Sequence, residues 1–302
     1  MVPFVILMPA TILDGKELGR TIEKDLISRI DNLKKLGISP HLAVVIVGDD
    51  PASHVYVRNK EMACNRCGIT STRIDLNSSV SENEILEIVE KLNLDDSIHG
   101  ILVQLPLPKH FDDEKVLNAI YTTKDVDGFH PYNVGRLFSG DPDFIPCTPH
   151  GIIKILDYYN IETSGKHCVV IGRSHIVGSP MSILMARNAK VGNCTVTLTH
   201  SRTTNLEEIT RSADILIVAL GKAEFLTASM VKEGAVIVDV GITRVKSDKT
   251  KSGWKLKGDV AFDEVAPKCS FITPVPGGVG PMTIASLLNN TLISAQKRSN
   301  IF

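Results

Sequence analysis

The sequence lacks the features of a nucleic-acid-binding or membrane-spanning protein. Its 302 residues carry 33 basic and 34 acidic side chains, a net charge of −1 that gives no electrostatic reason to expect nucleic acid or an anionic membrane as a partner. The first apolar run, residues 2–8, is far too short to cross a bilayer and has no basic flank of the kind found in signal peptides. We therefore predict a cytoplasmic protein.

Cysteines are few and scattered, which excludes a disulfide framework. Cys64 and Cys67 have the C-x-x-C spacing, but no second pair with zinc spacing follows and the surrounding pattern is helical. We interpret both as packing residues. The nine histidines form no H-E-x-x-H motif either, so the sequence predicts no metal site.

A strict G-x-G-x-x-G motif is also missing, yet the stretch around Gly172 has the order strand, glycine turn, helix. Residues 168–171 form an uninterrupted apolar run, typical of a strand that is buried on both faces. The run stops at Gly172, and Gly178 and Pro180 lead into a helix-like segment. Such a turn presents free backbone N–H groups at a helix N-terminus, where the helix dipole favours a phosphate. A purely structural crossover turn would look similar, so the spacing alone is a weak signal.

The apolar runs that follow predict a parallel, doubly wound sheet. They occupy residues 195–199, 215–219, 235–239 and 271–273, with segments of helix length between them. Gly221 and Gly241 come just after two of these strands, at the edge where such sheets bind ligands.

The end of the second strand of this sheet distinguishes NADP from NAD. In an NAD site this position usually carries an Asp or Glu that binds the ribose 2′-hydroxyl. Here the sequence reads His200-Ser201-Arg202, with no carboxylate. A cation and a hydroxyl at this position, together with Arg173 in the glycine turn, suit a 2′-phosphate. The sequence therefore predicts NADP as the cofactor.

The first part of the chain also alternates strands with helices and predicts a second α/β lobe. A helical pattern over residues 22–33 is followed by a buried strand at 41–47, and Asp50 and Pro51 then form a good helix start. Another amphipathic helix and a strand at residues 100–106 come next. Residues 144–151 would form the hinge between the lobes, before a helix at 152–158.

Five polar positions of this lobe are candidate functional residues. Tyr56 and Lys60 are four residues apart, hence on one face of a helix; a surface lysine beside a half-buried tyrosine is the commoner explanation of an isolated Y-x-x-x-K pattern. Gln104, at the end of an apolar strand, needs hydrogen-bond partners and could be a structural staple or could hold Lys60. Asp125 and Asp127 lie in a polar turn, where both would by default be solvated.

Residues 273–283 contain three glycines and three prolines. This composition predicts a rigid loop whose backbone lies close to a neighbouring group. Together with other motifs, this loop resembles the bifunctional methylenetetrahydrofolate dehydrogenase/methenyltetrahydrofolate cyclohydrolase family. The match runs in the family's order from about residue 10 to residue 297. It rests on Tyr56-Val-Arg-Asn-Lys60, Val103-Gln-Leu-Pro-Leu-Pro108, Lys124-Asp-Val-Asp-Gly128, Gly172-Arg-Ser174 and Pro274-Val-Pro-Gly-Gly-Val-Gly-Pro-Met282.

The resemblance implies an α/β fold of two lobes with a folate cleft between them, the second lobe being a Rossmann-like doubly wound parallel sheet. It assigns residues 1–148 to a folate-binding catalytic lobe, completed by a C-terminal helix in 283–302, and residues 149–282 to an NADP-binding lobe. It further implies a homodimer that oxidises 5,10-methylenetetrahydrofolate to 5,10-methenyltetrahydrofolate with NADP. Hydrolysis of that product to 10-formyltetrahydrofolate would follow, within one-carbon metabolism.

The resemblance also assigns roles to residues. Lys60 matches the catalytic group, Gln104 its hydrogen-bond partner, Tyr56 the ring that lies against the pterin, and Asp127 the carboxylate that anchors the pterin. The implied cofactor-binding residues are Gly172, Arg173, Ser174, Ser201 and Ile242. The other implied substrate-binding residues are Val103, Leu105, Pro274, Pro276, Gly277, Gly278 and Val279. The loop at 190–194 is longer than in some members, and residues 1–8 have no assigned role.

Three alternative functions compete with this one. A short-chain dehydrogenase also uses a Tyr-x-x-x-Lys pair, but after the glycine turn, whereas Tyr56 precedes Gly172 by 116 residues. An amino-acid dehydrogenase would carry a lysine-rich substrate site in place of the proline–glycine loop. A non-catalytic NADP-binding sensor would keep the glycine turn but would not need Lys60, Gln104 and Asp127 together.

Overall fold

A computed structural model describes residues 10–250 and 253–299, and their contacts divide the chain into two compact units. The first comprises Gly19–Cys147 and the described residues from Ile284 onward; we call it the lysine unit because it contains Lys60. The second comprises the described residues up to Leu18 and Thr148–Thr283, and we call it the glycine-turn unit. The predictions made for residues 1–8 lie outside the described residues.

Strands and helices alternate along most of the described chain. The strands are β1 (Thr11–Ile12), β2 (His41–Val47), β3 (Thr70–Leu76), β4 (Gly100–Val103), β5 (His167–Ile171), β6 (Thr195–Thr199), β7 (Ile215–Val218), β8 (Val236–Asp239), β9 (Thr243–Lys246), β10 (Trp254–Lys257) and β11 (Phe271–Ile272). The helices are α1 (Gly15–Lys35), α2 (Pro51–Cys67), α3 (Glu82–Leu94), α4 (Asp113–Asn118), α5 (Pro131–Ser139), α6 (Cys147–Tyr158), α7 (Gly178–Ala186), α8 (Leu206–Arg211), α9 (Phe262–Val265) and α10 (Val279–Arg298).

The lysine unit is built on a parallel sheet with the strand order β3-β2-β4. The chain passes from β2 to β3 on one side and returns to β4 on the other, so the direction of winding reverses at the carboxyl end of β2. Such a reversal opens a crevice between the strand ends, where open α/β sheets bind their ligands. The helix that carries Lys60, α2, begins at this point.

Local chemistry explains where α2 begins and ends. The Asp50 carboxylate accepts a hydrogen bond from the Ser53 N–H at 2.8 Å, and Pro51 is the first helical residue, as predicted. The helix ends at Gly68, whose φ of 78° is a left-handed conformation that glycine adopts without a steric penalty.

The glycine-turn unit contains a six-stranded sheet with the order β1-β11-β8-β7-β5-β6, and all of its strand pairs are parallel. This confirms the predicted doubly wound parallel sheet. Winding reverses at the carboxyl end of β5, where the chain leaves β6 and crosses to β7; Gly172 occupies that position. Residues up to Leu18 belong to this unit because Thr11 pairs with Phe271.

Alternate residues of β2 pack into two cores on opposite faces of the lysine unit's sheet. Leu42, Val44 and Ile46 contribute to one, with residues of α1, α2 and α10. The residues between them contribute to the other, with residues of α3. A strand covered on both faces must be apolar throughout, and six of the seven residues of β2 are buried. This is why a continuous apolar run predicted the strand correctly.

Several predicted boundaries are wrong, and two of the differences lie at prolines. The strand predicted at 100–106 ends at Val103. Helix α6 begins at Cys147, so half of the predicted hinge is helical, and α10 begins at Val279 rather than at residue 284. Pro149 and Pro281 lie in the first turns of these helices, where the missing N–H would have no intrahelical partner anyway. The sequence prediction places both prolines in loops.

All six cysteines are free and buried. Cys64 and Cys67 lie in α2 and pack in the core of the lysine unit, as predicted. Among residues 10–250 and 253–299, no helix is long and apolar enough to cross a membrane. Within the same residues, no group of three or more His, Cys, Asp or Glu side chains is arranged to hold a metal ion.

Candidate active site

Lys60 and Gln104 meet at the carboxyl end of the lysine unit's sheet. Lys60 is buried, with 8% of its surface exposed, and its Nζ donates a hydrogen bond to Gln104 Oε1 at 2.9 Å. Gln104 directly follows β4; its N–H donates to the Val45 carbonyl at 2.8 Å and its Nε2 to the Leu105 carbonyl at 2.6 Å. Gln104 is thus held by three hydrogen bonds, one from its backbone and two from its side-chain amide, and the amide oxygen faces Lys60 Nζ.

The positive charge of Lys60 acts on the carboxyl group of Asp127. Burial raises the pKa of Asp127, while the positive charge of Lys60 lowers it and the negative charge of Asp125 raises it further. The Cys147 thiol contacts the same carboxylate and donates to the Val126 carbonyl at 3.3 Å. The structure therefore brings together Lys60, Gln104 and Asp127, three residues that the resemblance connects with the reaction.

The turn that carries Asp127 is stabilised by the buried carboxylate of Asp125, which corrects the prediction of a solvated turn. Asp125 is 2% exposed, and its carboxylate accepts hydrogen bonds from the N–H groups of Gly128, Phe129 and His130 at 2.9–3.2 Å. Asn133 Nδ2 also donates to it, at 2.7 Å. Because these donors satisfy the charge without water, Asp125 is buried and the turn has a fixed shape.

Glycine is required at position 128 of this turn. Its φ is 75°, and a Cβ there would lie 2.9 Å from the backbone nitrogen of Pro146. The turn therefore packs backbone against backbone on the segment that leads into Cys147.

The remaining predicted folate contacts of the lysine unit differ in accessibility. Tyr56 is partly buried on the same face of α2 as Lys60, and burial raises the pKa of its phenol. Val103 is only 2% exposed because its side chain belongs to the core, so it has only backbone groups to offer a ligand. Leu105 is partly buried against that core.

The glycine turn has the geometry of a phosphate site. Gly172 has a φ of 112°, and a Cβ there would lie 2.2 Å from the Ala219 carbonyl oxygen. A Cβ on Gly178 would lie 1.9 Å from the Gly172 carbonyl oxygen, so the turn closes tightly on the start of α7. Arg173 and Ser174 are exposed at its tip. Backbone this close to a helix N-terminus can approach a pyrophosphate without side-chain obstruction.

Ser174 has a second function that the sequence did not suggest. Its Oγ accepts hydrogen bonds from the N–H groups of Val177 at 3.1 Å and Gly178 at 3.4 Å, and so caps the start of α7. The hydroxyl proton is still available for donation to a ligand oxygen.

The ends of β5 and β6 present basic and hydroxyl groups side by side. Ile171 pairs with Thr199, so Arg173 and Ser201 follow neighbouring strand ends. Ser201 and Arg202 are exposed, and the Arg202 N–H donates to His200 Nδ1 at 3.1 Å. This arrangement fits the 2′-phosphate of NADP, because it offers donors and positive charge where an NAD site would carry a carboxylate.

The proline–glycine loop is tightly packed within the glycine-turn unit. The Gly278 N–H donates to the Pro274 carbonyl at 2.8 Å, and a Cβ on Gly15 would lie 1.9 Å from the Gly278 carbonyl oxygen. Gly277 has a φ of 111° and its carbonyl accepts from the Lys16 N–H. Pro276 is exposed, whereas Val279 is 3% exposed and starts α10. A Cβ on Gly280 would lie 3.3 Å from Ile242 Cδ1, which places Ile242 beside this loop.

Sequence analysis missed Cys147, the thiol in contact with Asp127. The sequence predicts a hinge at residues 144–151, which includes Cys147. A structure is needed to show that its segment packs on the turn of Asp127.

Two family models match most of the chain. The model described as tetrahydrofolate dehydrogenase/cyclohydrolase, catalytic domain, matches residues 13–127. The model described as tetrahydrofolate dehydrogenase/cyclohydrolase, NAD(P)-binding domain, matches residues 146–299.

Relatives and solved structures agree with these matches. The bifunctional protein FolD of Cytophaga hutchinsonii is 58% identical over 285 residues, which cover 94% of this chain and 98% of that protein. A crystal structure of the bifunctional FolD methylenetetrahydrofolate dehydrogenase/cyclohydrolase from Campylobacter jejuni is similar with a TM-score of 0.90 at 50% identity, covering 96% of this chain and 99% of that chain. The Trypanosoma brucei enzyme, complexed with NADP and an inhibitor, has a TM-score of 0.91 at 35% identity, covering 96% of this chain and 98% of that chain.

Proposed function

The chain belongs to the tetrahydrofolate dehydrogenase/cyclohydrolase family, and from this premise we propose that Lys60, Gln104 and Asp127 form its catalytic centre. The protein is a bifunctional enzyme: it oxidises 5,10-methylenetetrahydrofolate with NADP and hydrolyses the 5,10-methenyl product to 10-formyltetrahydrofolate. The observation that carries the assignment of residues is the buried hydrogen bond from Lys60 Nζ to Gln104 Oε1.

Asp127 is suited to anchor the substrate. The pyrimidine edge of a pterin presents adjacent N–H donors, and one ionised carboxylate can accept two of them as charge-assisted bonds. The ammonium group of Lys60 favours that ionised form, against the effect of burial on the pKa of Asp127. The partly buried ring of Tyr56, on the same helix face as Lys60, offers an aromatic surface for the flat pterin.

Lys60 is suited to both proton transfers of the hydrolysis. Water attacks the methenyl carbon and gives a proton to the neutral amine, which leaves a hydroxyl group on that carbon. The resulting ammonium then donates a proton to the nitrogen that leaves as the ring opens, and the hydroxyl proton is released to solvent as the formyl C=O forms. Such general acid–base help is typically worth about 10²–10⁴-fold in rate. Gln104 directs the Lys60 side chain through a neutral acceptor, its Oε1 atom.

The cofactor residues belong to the glycine-turn unit. NADP, when bound, supplies the hydride acceptor for the oxidation. Gly172, Arg173 and Ser174 would hold its pyrophosphate and 2′-phosphate, with Ser201 beside the latter and Ile242 further along the same sheet edge. The absence of a Cβ at Gly172 and the exposure of Arg173 support this assignment.

A homodimer and a cytoplasmic location complete the proposal. The homodimer follows from the family resemblance alone, and sedimentation equilibrium tests it. Six free, buried thiols suit a reducing compartment such as the cytoplasm.

The experiment compares the wild type with Lys60→Met and with a control, Lys24→Met, that removes an exposed lysine of α1. Both activities are followed spectrophotometrically, with NADP or NAD, and NADP affinity is measured by titration calorimetry. We expect the cyclohydrolase rate of Lys60→Met to be at least about 100-fold lower than that of the wild type, with an unchanged affinity for NADP. Lys24→Met should resemble the wild type in both measurements. Normal hydrolysis by Lys60→Met would reject the assignment.

A further inference from the structure

Asp259 is a buried carboxylate that binds a row of backbone N–H groups. It is fully buried in the glycine-turn unit, in the segment between β10 and α9. Its Oδ2 accepts hydrogen bonds from the N–H groups of Leu220 at 2.6 Å and Gly221 at 2.9 Å, and its Oδ1 accepts from Lys222 at 2.7 Å. Three successive N–H groups pointing at one anion form a backbone nest of the kind that binds phosphate.

A second buried carboxylate fixes the backbone of Asp259. Asp239, the last residue of β8, accepts from the Asp259 N–H at 2.9 Å and from the Val260 N–H at 3.0 Å. On the other side, the Asp259 carbonyl accepts from the Leu226 N–H at 2.9 Å. The Asp259 side chain therefore projects from a backbone that is held at both peptide groups.

Two glycines provide the space for these carboxylates. A Cβ on Gly241 would lie 2.1 Å from Asp259 Cγ, and a Cβ on Gly258 would lie 1.8 Å from Asp239 Oδ2. Side-chain carbons are not found at such distances, so any other residue at either position would displace an acid. The Gly241 N–H in addition donates to Asp239 Oδ1 at 3.1 Å.

The loop bound by Asp259 is in direct contact with the glycine turn. Strands β5 and β7 are neighbours, with Ile171 opposite Val218, so Gly172 and Ala219 follow their ends in step. The distance of 2.2 Å from a Cβ on Gly172 to the Ala219 oxygen shows that loop and turn pack backbone to backbone. A shift of residues 219–222 would therefore move the turn.

We propose that Asp259 is a positioning residue for the dinucleotide: by filling the nest at residues 220–222, it fixes the loop on which the phosphate-binding turn rests. The inference rests on the proposed binding of NADP at Gly172. Because the Asp259 carboxylate occupies this nest, the nest cannot bind another anion. The phosphates of the dinucleotide can therefore bind only at the glycine turn on this sheet edge.

Asp259→Asn tests the proposal with little change in shape. An asparagine oxygen can replace Oδ2, but its amide group would then face the Lys222 N–H, donor against donor. We expect the Kd for NADP to rise about tenfold or more, as for a lost hydrogen bond to a charged group. The KM for methylenetetrahydrofolate should stay at the wild-type value.

Two controls separate positioning from loss of stability. Asp263→Asn makes the same charge change at an exposed site of α9 and should leave the Kd unchanged. Val265→Ala opens a cavity in the core of the same unit and should lower Tm with a normal Kd, measured well below the Tm of each variant. In Asp259→Ala, formate should restore NADP affinity by re-entering the nest, and should do nothing for Val265→Ala.

The outcomes are distinct. If the wild type binds no NADP, the proposed cofactor site fails. If the wild type binds NADP and a folded Asp259→Asn binds it equally well, or if Val265→Ala weakens binding as much, the positioning role alone is overturned. If Asp259→Asn does not fold, Asp239→Asn tests the proposal instead. This variant leaves the Asp259 carboxylate in the nest but weakens the hydrogen bonds that hold the Asp259 backbone. The proposal then requires the Kd for NADP to rise, by less than the tenfold expected for Asp259→Asn, and an unchanged Kd would overturn it.

Discussion

The amide of Gln104 can present only its oxygen to Lys60, because its nitrogen already donates to the Leu105 carbonyl at 2.6 Å. Gln104→Met keeps the length of the side chain but removes the acceptor, so the Lys60 side chain loses its fixed direction. We expect the cyclohydrolase rate to fall about 10- to 100-fold, the effect of a hydrogen bond to a charged group. Stopped assays on methenyltetrahydrofolate measure it, with Gln296→Met in α10 as the matched variant. Equal rates in the two variants would contradict the role of Gln104.

Gly172→Ala should abolish NADP binding with the lysine unit intact. The added methyl group would lie 2.2 Å from the Ala219 oxygen, a backbone atom that cannot move away without displacing β7. Titration calorimetry should show no NADP binding, and Gly234→Ala, at a turn with open space around it, serves as the control. Both positions have a positive φ, so the control also accounts for backbone strain.

Arg173→Ala should reduce the preference for NADP over NAD. The guanidinium group lies exposed at the tip of the turn, and the 2′-phosphate is the feature that NADP has and NAD lacks. We expect KM for NADP to rise about 10- to 100-fold and KM for NAD to change little. Arg211→Ala, an exposed arginine of α8, should leave both values unchanged. An equal rise for both cofactors would place Arg173 away from the 2′-phosphate.

Because of Lys124, the free energy of unfolding should depend on pH in the alkaline range. Its Nζ donates to the carbonyls of Leu92 and Asp95 at 2.8 and 2.7 Å, and burial, with the charge of Arg298 as a lesser cause, lowers its pKa to about 8. Between about pH 8 and the ordinary lysine pKa of about 10.5, the unfolded chain binds the proton that the native protein has lost, so this group favours the native state increasingly as pH rises.

Thermal unfolding between pH 7 and pH 11 checks this dependence. Lys124→Met should be less stable than the wild type at neutral pH, and the difference between the two should widen as pH rises through that window. Lys91→Met, at an exposed position of α3, should run parallel to the wild type throughout. A constant difference between Lys124→Met and the wild type would show that Lys124 does not titrate there.

Sequence patterns predicted those parts of the fold in which one physical requirement acts on several successive residues. A strand covered on both faces must be apolar along its length, which is why β2 was predicted to the residue. The start of α2 was predicted because Asp50 and Pro51 satisfy local needs of the helix N-terminus. For Gln104, at the end of an apolar strand, the sequence left open a structural staple or a contact with Lys60, and the family resemblance implied the contact that the structure shows.

Features that depend on distant residues could not be predicted in this way. Lys124 looks like a solvated turn residue, and its burial depends on two acceptors 32 and 29 positions away, the carbonyls of Leu92 and Asp95. The same applies to Asp259, an isolated acid in the sequence whose three donors lie 37–39 positions away. Such side chains carry no periodicity, so only coordinates reveal their partners.

Asn290, far along α10, donates hydrogen bonds from its Nδ2 to the carbonyls of Val126 and Ile145, on either side of the turn that carries Asp127. During synthesis on the ribosome, that turn emerges more than 100 residues before its clamp does. A nascent chain halted ahead of residue 284 would present Asp127 without this support. The support of Asp127, the proposed pterin anchor, is therefore completed late in synthesis, although the turn itself is made more than 100 residues earlier.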